Sequence, residues 1–111
     1  MPKKAMEVLT ETMFYVLMAF MRGEMCGIEI ADFIDEKTNG RLLIGPATLY
    51  TILGKYEKEK LIELTAVEGR KRTYRILPKG IEAYEEEYSR LRLCLADALE
   101  EEEMRKEKPY E

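Results

Sequence analysis

Histidine, tryptophan and glutamine are absent from this 111-residue chain, and serine and asparagine occur once each, as Ser89 and Asn39. Without an imidazole there is no His-based nucleophile pair, no His-ligated metal and no side chain that ordinarily titrates near neutrality. The two cysteines, Cys26 and Cys94, stand too far apart for a CxxC motif, so neither a zinc ribbon nor a redox dithiol is encoded. The longest apolar run, Met13 to Met21, is about half the length that a membrane span requires. No small-residue cleavage pattern of a signal peptide follows it. Together these absences predict a cytoplasmic, non-enzymatic protein with reduced thiols, no cofactor, no metal and no membrane partner.

What is present fits one small folded unit. Apolar residues make up 46% of the chain and charged residues 36%, which a soluble domain tolerates and a disordered tail does not show. A chain of this length buries one core and is marginal alone. Its net charge of −4 argues against nucleic acid only until it is divided along the chain. Residues 1–40 carry −3, residues 41–79 carry +5 and residues 80–111 carry −6. A basic middle between acidic ends is the asymmetry to follow.

The local signals give an order of elements. Thr10 and Glu11, then a dense apolar body, then Gly23, predict a first helix over about 10–22. It is apolar nearly all round, so it needs cover on more than one side. Ile30, Phe33, Ile34 and Lys37 recur at helical spacing before the breaker Asn39-Gly40, which predicts a second helix near 27–38. Gly45-Pro46 is the clearest helix start, with proline suited to the first helical position. Leu49, Ile52, Leu53 and Tyr56 mark the inner face of that third helix. Ala47, Thr51, Gly54, Lys55 and Lys58 lie opposite, with Thr48 and Tyr50 on the flanks. From Ile62 the period becomes two: Ile62, Leu64 and Ala66 alternate with Glu63, Thr65 and Val67. A turn at Glu68-Gly69-Arg70-Lys71 and a return over Arg72–Ile76 complete a hairpin with a basic tip. Pro78 opens a last helix running to about Met104. In it Ile81, Tyr84, Tyr88, Leu91, Leu95 and Ala98 form a heptad seam, with Glu85, Glu86 and Glu87 largely off it.

Two helices, a break and a third helix with a polar outer face form a helix-turn-helix; a basic hairpin after it makes a winged helix. The fold class is therefore mainly α with a small β-hairpin, a winged helix-turn-helix plus a long C-terminal dimerisation helix. Residues 1–79 form the DNA-binding part, and residues 80–111 the dimerisation helix and acidic tail, in one compact unit. The physical logic is direct. An α-helix fits the major groove of duplex DNA, where residues of its N-terminal half reach base edges. The helix start at Pro46 and Ala47 favours phosphate. Arg70, Lys71 and Arg72 form a positive finger for an adjacent groove or backbone.

Particular stretches also resemble the PadR family of transcriptional regulators. Leu9-Thr10-Glu11-Thr12-Met13-Phe14-Tyr15-Val16-Leu17 is similar to the family's first helix. Ile44-Gly45-Pro46-Ala47-Thr48-Leu49-Tyr50-Thr51-Ile52-Leu53 resembles its recognition helix, with Thr-Leu-Tyr as the signature. Glu59-Lys60-Leu61-Ile62, Arg72-Thr73-Tyr74-Arg75-Ile76 and Lys79-Gly80 match the approach to the wing, its return strand and the start of the last helix. The resemblance covers roughly residues 8–80. It implies a homodimeric repressor on double-stranded operator DNA, released by a small-molecule or stress signal. It also implies DNA contact by Tyr15, Thr48, Tyr50 and their neighbours. Dimerisation is implied through the first helix (Phe14, Leu17, Met18, Met21) and the last (Tyr84, Tyr88, Leu91, Leu95, Ala98). Cys26-Gly27-Ile28 stands where many members have His-Gly-Tyr, Thr51 replaces a proline after the Thr-Leu-Tyr block, and Leu77 replaces a threonine. None of these departures removes a basic or groove-facing group.

Blander readings stand beside these. Met13, Met18 and Met21 would line an adaptable effector pocket, or simply fill an apolar core. Cys26 and Cys94 are either a redox pair or two inert thiols. The rival to DNA recognition is a winged-helix module that pairs only with proteins, for which an Arg-Lys-Arg tip has no use.

Overall fold

The structure, a computed structural model, describes residues 8–107. Thr10 caps the first helix, its hydroxyl accepting from the Met13 N–H at 3.1 Å, and α1 spans Glu11–Phe20. A two-residue strand, β1 (Met25–Cys26), leads directly into α2 (Gly27–Thr38). At that junction the Glu29 carboxylate accepts from the Cys26 N–H at 2.9 Å, satisfying a donor that the helix start leaves open. Asn39 ends α2 in the left-handed conformation (φ 55°), and the Thr38 hydroxyl donates to the Ile34 carbonyl while accepting from the Leu42 N–H. Gly45 and Pro46 then start α3 (Pro46–Lys58) as the sequence indicates.

The hairpin consists of β2 (Ile62–Glu68) and β3 (Lys71–Ile76). Gly69, at φ 63°, takes the first of the two loop positions, the conformation a type II′ turn demands there. Ile62 pairs with Ile76 and Leu64 with Tyr74, but Ala66 pairs with Thr73, so Thr65 is an extra residue. This bulge corrects the simple alternation expected of residues 62–67. Beyond Leu64 the apolar positions no longer face the core, and Ala66 and Val67 are exposed. Sequence spacing also missed β1, which is too short for any period. It pairs along the free edge of β3, giving an antiparallel sheet in the order β1-β3-β2.

Val16, Leu17 and Phe20 of α1 meet Ile30 and Ile34 of α2, Leu53 and Tyr56 of α3 and Ile62 of β2 in the core. The Tyr56 hydroxyl donates to the Met13 carbonyl at 2.8 Å, and burial pushes its pKa well above the usual tyrosine value. Much of the cover that α1 needs thus comes from its own chain. Leu17 is fully buried there (0% exposed) and has no surface to offer a partner, which corrects its assignment to a dimer face.

The last helix, α4, runs from Pro78 to Glu107. Its take-off is set by a close backbone approach: the Leu77 N–H donates to the Leu61 carbonyl at 2.8 Å. A Cβ on Gly80 would lie 2.3 Å from that same carbonyl oxygen. Ala83 and Glu87 are buried against the domain, and Tyr84 stacks on Phe14 with ring centroids 5.2 Å apart. Glu87 is another correction. Expected off the apolar seam, it is 6% exposed and takes two hydrogen bonds from Arg90, at 3.0 and 2.5 Å. From Tyr88 onward every described residue of α4 is exposed. The helix thus projects about 30 Å past the domain at 1.5 Å per residue. The molecule measures 64 Å in its longest dimension.

Candidate nucleic-acid interface

The amphipathic division of α3 is realised in three dimensions. Leu49, Ile52, Leu53 and Tyr56 are buried, which fixes the rotation of the helix about its axis. Pro46, Ala47, Thr48, Tyr50, Thr51 and Lys58 are consequently exposed, and Lys55 is half-buried. Tyr50, two-thirds exposed, projects from the flank. The Thr51 hydroxyl donates back to the Ala47 carbonyl at 2.9 Å, so its oxygen presents lone pairs outward from a fixed rotamer. With Lys55 and Lys58 in the last turn and no acidic residue in the first, the helix carries its charge away from its N-terminal half.

Arg70 occupies the hairpin turn, with Lys71 and Arg72 at the start of β3, and all three are exposed. Among the described residues no ion pair engages Arg70 or Arg72. Arg75 differs: it lies directly across the ladder from Glu63 and forms an ion pair with it, which removes it from the wing's free charge. The Thr65 hydroxyl, displaced by the bulge, donates to Glu24 Oε1 at 2.6 Å and ties the wing to the segment before β1. Tyr50 and Leu53 of α3 line one cleft together with Arg70, Lys71 and Arg72 of the wing. Of the expected DNA contacts on α3, Tyr50 is thus brought beside the three wing cations.

Tyr15 sits differently. It is half-buried on α1, and its hydroxyl accepts from Arg41 Nη2 at 3.2 Å. Arg41 Nη1 also pairs with Glu11 Oε2 at 2.7 Å, and this carboxylate raises the guanidinium pKa further. Arg41 lies in the segment between α2 and α3, so α1 grips the turn of the helix-turn-helix. Sequence reading counted Arg41 in the basic middle without giving it a role. Its partners lie 26 and 30 positions away, beyond the reach of any local pattern.

On α4, Tyr88, Leu91, Leu95 and Ala98 continue the line along which Tyr84 and Ala83 meet the domain; all four are exposed, Leu91 only in part because it lines a cleft with Phe14 and Tyr15 of α1. Leu95 is 61% exposed and Leu99, on the same side at helical spacing, 58%. Phe14 and Met18 are half-buried and Met21 is exposed. Met13 and Met18 pack against the core, and none of Met13, Met18 and Met21 lines the wing cleft or the α1–α4 cleft. Cys26 is buried and Cys94 exposed on α4, both as free thiols. Among the described residues no group of His, Cys, Asp or Glu is placed to hold a metal ion. No described helix is long and apolar enough to cross a membrane.

Comparison with known proteins shows the family. The sequence profile of the transcriptional regulator PadR-like family matches residues 16–86. A transcriptional regulator from Clostridium thermocellum has a similar structure, with a TM-score of 0.72 and 27% identity, covering 84% of this chain and 97% of that one. RosR of Halobacterium salinarum shares the fold at 17% identity and a TM-score of 0.62, over 82% of this chain and 94% of that one. BpsR of Bordetella bronchiseptica does so at 19% identity and 0.65, over 81% of this chain and 64% of its own; 6-hydroxynicotinic acid regulates that protein's DNA binding. A sequence comparison with curated proteins yields no match.

Proposed function

Because this chain belongs to the PadR-like family of transcriptional regulators, we propose that it acts as a homodimeric repressor of a nearby gene. Each subunit lays α3 in a major groove and its wing on the flanking backbone. Residues 1–79 read DNA, and residues 80–111 join the subunits. The observation that carries this reading is the exposed Thr48–Tyr50–Thr51 face of α3 together with the exposed wing cations Arg70 and Arg72, which line one cleft with Tyr50. Thr48 and Thr51 select bases, while Arg70, Lys71, Arg72 and Lys58 neutralise phosphates. A second copy covers the bare face of α4, setting half-sites about one helical turn or a multiple apart. A small-molecule or stress signal acting on the dimer relieves repression, as a small acid regulates DNA binding in BpsR.

The test is binding of the purified chain to the duplex upstream of its own gene across a salt series. Affinity should fall linearly on logarithmic axes, and each of R70Q, K71Q and R72Q should lower that slope by about one. A chain that shows no salt-sensitive binding, and enriches no motif from random duplexes, would be a protein-pairing module instead.

A further inference from the structure

Every side chain from Thr65 to Arg72 is exposed, so core packing does not fix the direction in which the wing tip points. The base of the hairpin is firm by contrast, with Ile62 and Tyr74 in the core. Between base and tip lies the bulge at Thr65, where the ladder is interrupted and the strand bends. Arg70, Lys71 and Arg72 all stand beyond it. Gly69, at the tip, is four residues past Thr65, which is about 13 Å of strand. A swing of about 15° at the bulge therefore moves the tip by about 3 Å, as far as a direct phosphate contact reaches.

The bulge is also where the wing is tied down. Thr65 has no residue opposite it on β3. Its hydroxyl lies 2.6 Å from Glu24 Oε1 and 3.2 Å from the Thr73 carbonyl oxygen. A hydroxyl has one proton to donate, and the carboxylate is both nearer and charged, so Glu24 takes it. Glu24 immediately precedes β1, and Thr65 belongs to β2. In the sheet order β1-β3-β2, their bond joins the two outer strands over the central one. A carboxylate cannot hold a phosphate, so a favourable effect of Glu24 on DNA binding has to run through Thr65.

We propose that Glu24 is a positioning residue for the wing. Acting through Thr65, its carboxylate fixes the direction of residues 66–72 and so brings Arg70, Lys71 and Arg72 to the DNA backbone. The proposal rests on the reading of the wing as a phosphate-holding element. The sign of the effect separates it from plain electrostatics. Glu24 adds a negative charge to a protein that approaches a polyanion, so on charge alone its removal strengthens binding. If it positions the wing, its removal weakens binding.

The test uses the full chain and the variants E24A, E24Q, T65V, T65S and E24A/T65V. Both side chains are exposed, so none of these changes opens the core. Residual dipolar couplings of the backbone amides, measured without DNA, come first. Those of residues 66–72 should lose magnitude in E24A and T65V while those of α2 and α3 stay as in wild type. T65S keeps the hydroxyl and should keep the wild-type couplings, and E24Q, a neutral acceptor, should fall between. Duplex binding across a salt series comes second. E24A and T65V should each weaken binding about five- to tenfold and lower the salt slope by about one to two, although every wing cation is still present. T65S should restore both, the double variant should lose no more than the worse single one, and the motif enriched from random duplexes should not change. Unchanged couplings at residues 66–72, equal or tighter duplex binding by E24A, or additive losses in the double variant would each overturn the proposal. A wild-type chain without salt-sensitive binding would overturn the proposed function instead, and the couplings alone would then decide whether Glu24 holds the wing.

Discussion

The Arg41 guanidinium donates to the Tyr15 hydroxyl at 3.2 Å, joining the turn of the helix-turn-helix to α1. With Glu11 as its second partner, Arg41 is a three-residue clamp on the segment that aims α3. Tyr15 is thus held by Arg41 rather than standing free on the surface. Y15F and R41Q should each weaken DNA binding by about two- to fivefold, the scale of a modest positional loss. The double variant should lose no more than the worse single one, since the two changes break one contact. Anisotropy titrations of the four proteins at fixed salt check this. Additive losses would show that the two residues contact DNA separately.

Gly80 admits no side chain. A methyl group there meets the Leu61 carbonyl at 2.3 Å and Ile76 Cγ1 at 2.7 Å, and a backbone oxygen cannot swing aside as the end of a side chain can. G80A should cost about 1–3 kcal/mol of stability, as overpacking does, despite alanine's better helix propensity. Chemical denaturation measures it, and a stability equal to or above wild type would contradict the packing.

Glu87 binds its proton more weakly in the folded chain than in the unfolded one, chiefly because Arg90 donates to it, with the Leu9 N–H as a lesser partner. A lowered carboxyl pKa contributes stability that is present above the unfolded value near 4.5 and is lost as pH falls through the folded value. E87Q should therefore be less stable than wild type at pH 7, by about 1–2 kcal/mol for a charge-assisted bond. The difference should shrink below pH 4. Paired melting curves from pH 7 to pH 3 test the sign, and a gap that widens on acidification would refute it.

Leu91 and Leu95 of α4 lie one helical turn apart and are exposed, Leu91 at 39% beside α1 and Leu95 at 61% beyond it. L91E with L95E should convert a dimer to a monomer in sedimentation while leaving the helical content of the domain intact. Duplex affinity should then drop by about tenfold or more, because two half-sites no longer act together. An unchanged sedimentation coefficient would remove α4 from the dimer.

The helices were legible in the sequence because their determinants are local. Thr10, Asn39 and Gly45-Pro46 cap or open helices through contacts within a few residues, and the i, i+3, i+4 spacing of Leu49, Ile52 and Leu53 needs no partner to be read. The basic wing tip was legible too, since Gly69 dictates the turn and charge is a property of residue type. The bulge at Thr65 was not, because it depends on how Ala66 meets Thr73 across the ladder. Nor was β1, which exists only because β3 offers it an open edge.

By itself, then, the sequence determined which segments coil, where they stop, which chemistry is absent and where positive charge collects. Only the tertiary structure decided which of these side chains are buried, which are exposed and what they touch. It buried Leu17 in its own core, set Glu87 against the domain, gave Tyr15 to Arg41 and left the cleft beside Ile28 open. The physical reason is that propensity and charge belong to residues and their near neighbours. Burial, hydrogen-bond partners and open volume belong to pairs of elements that the chain brings together from far apart.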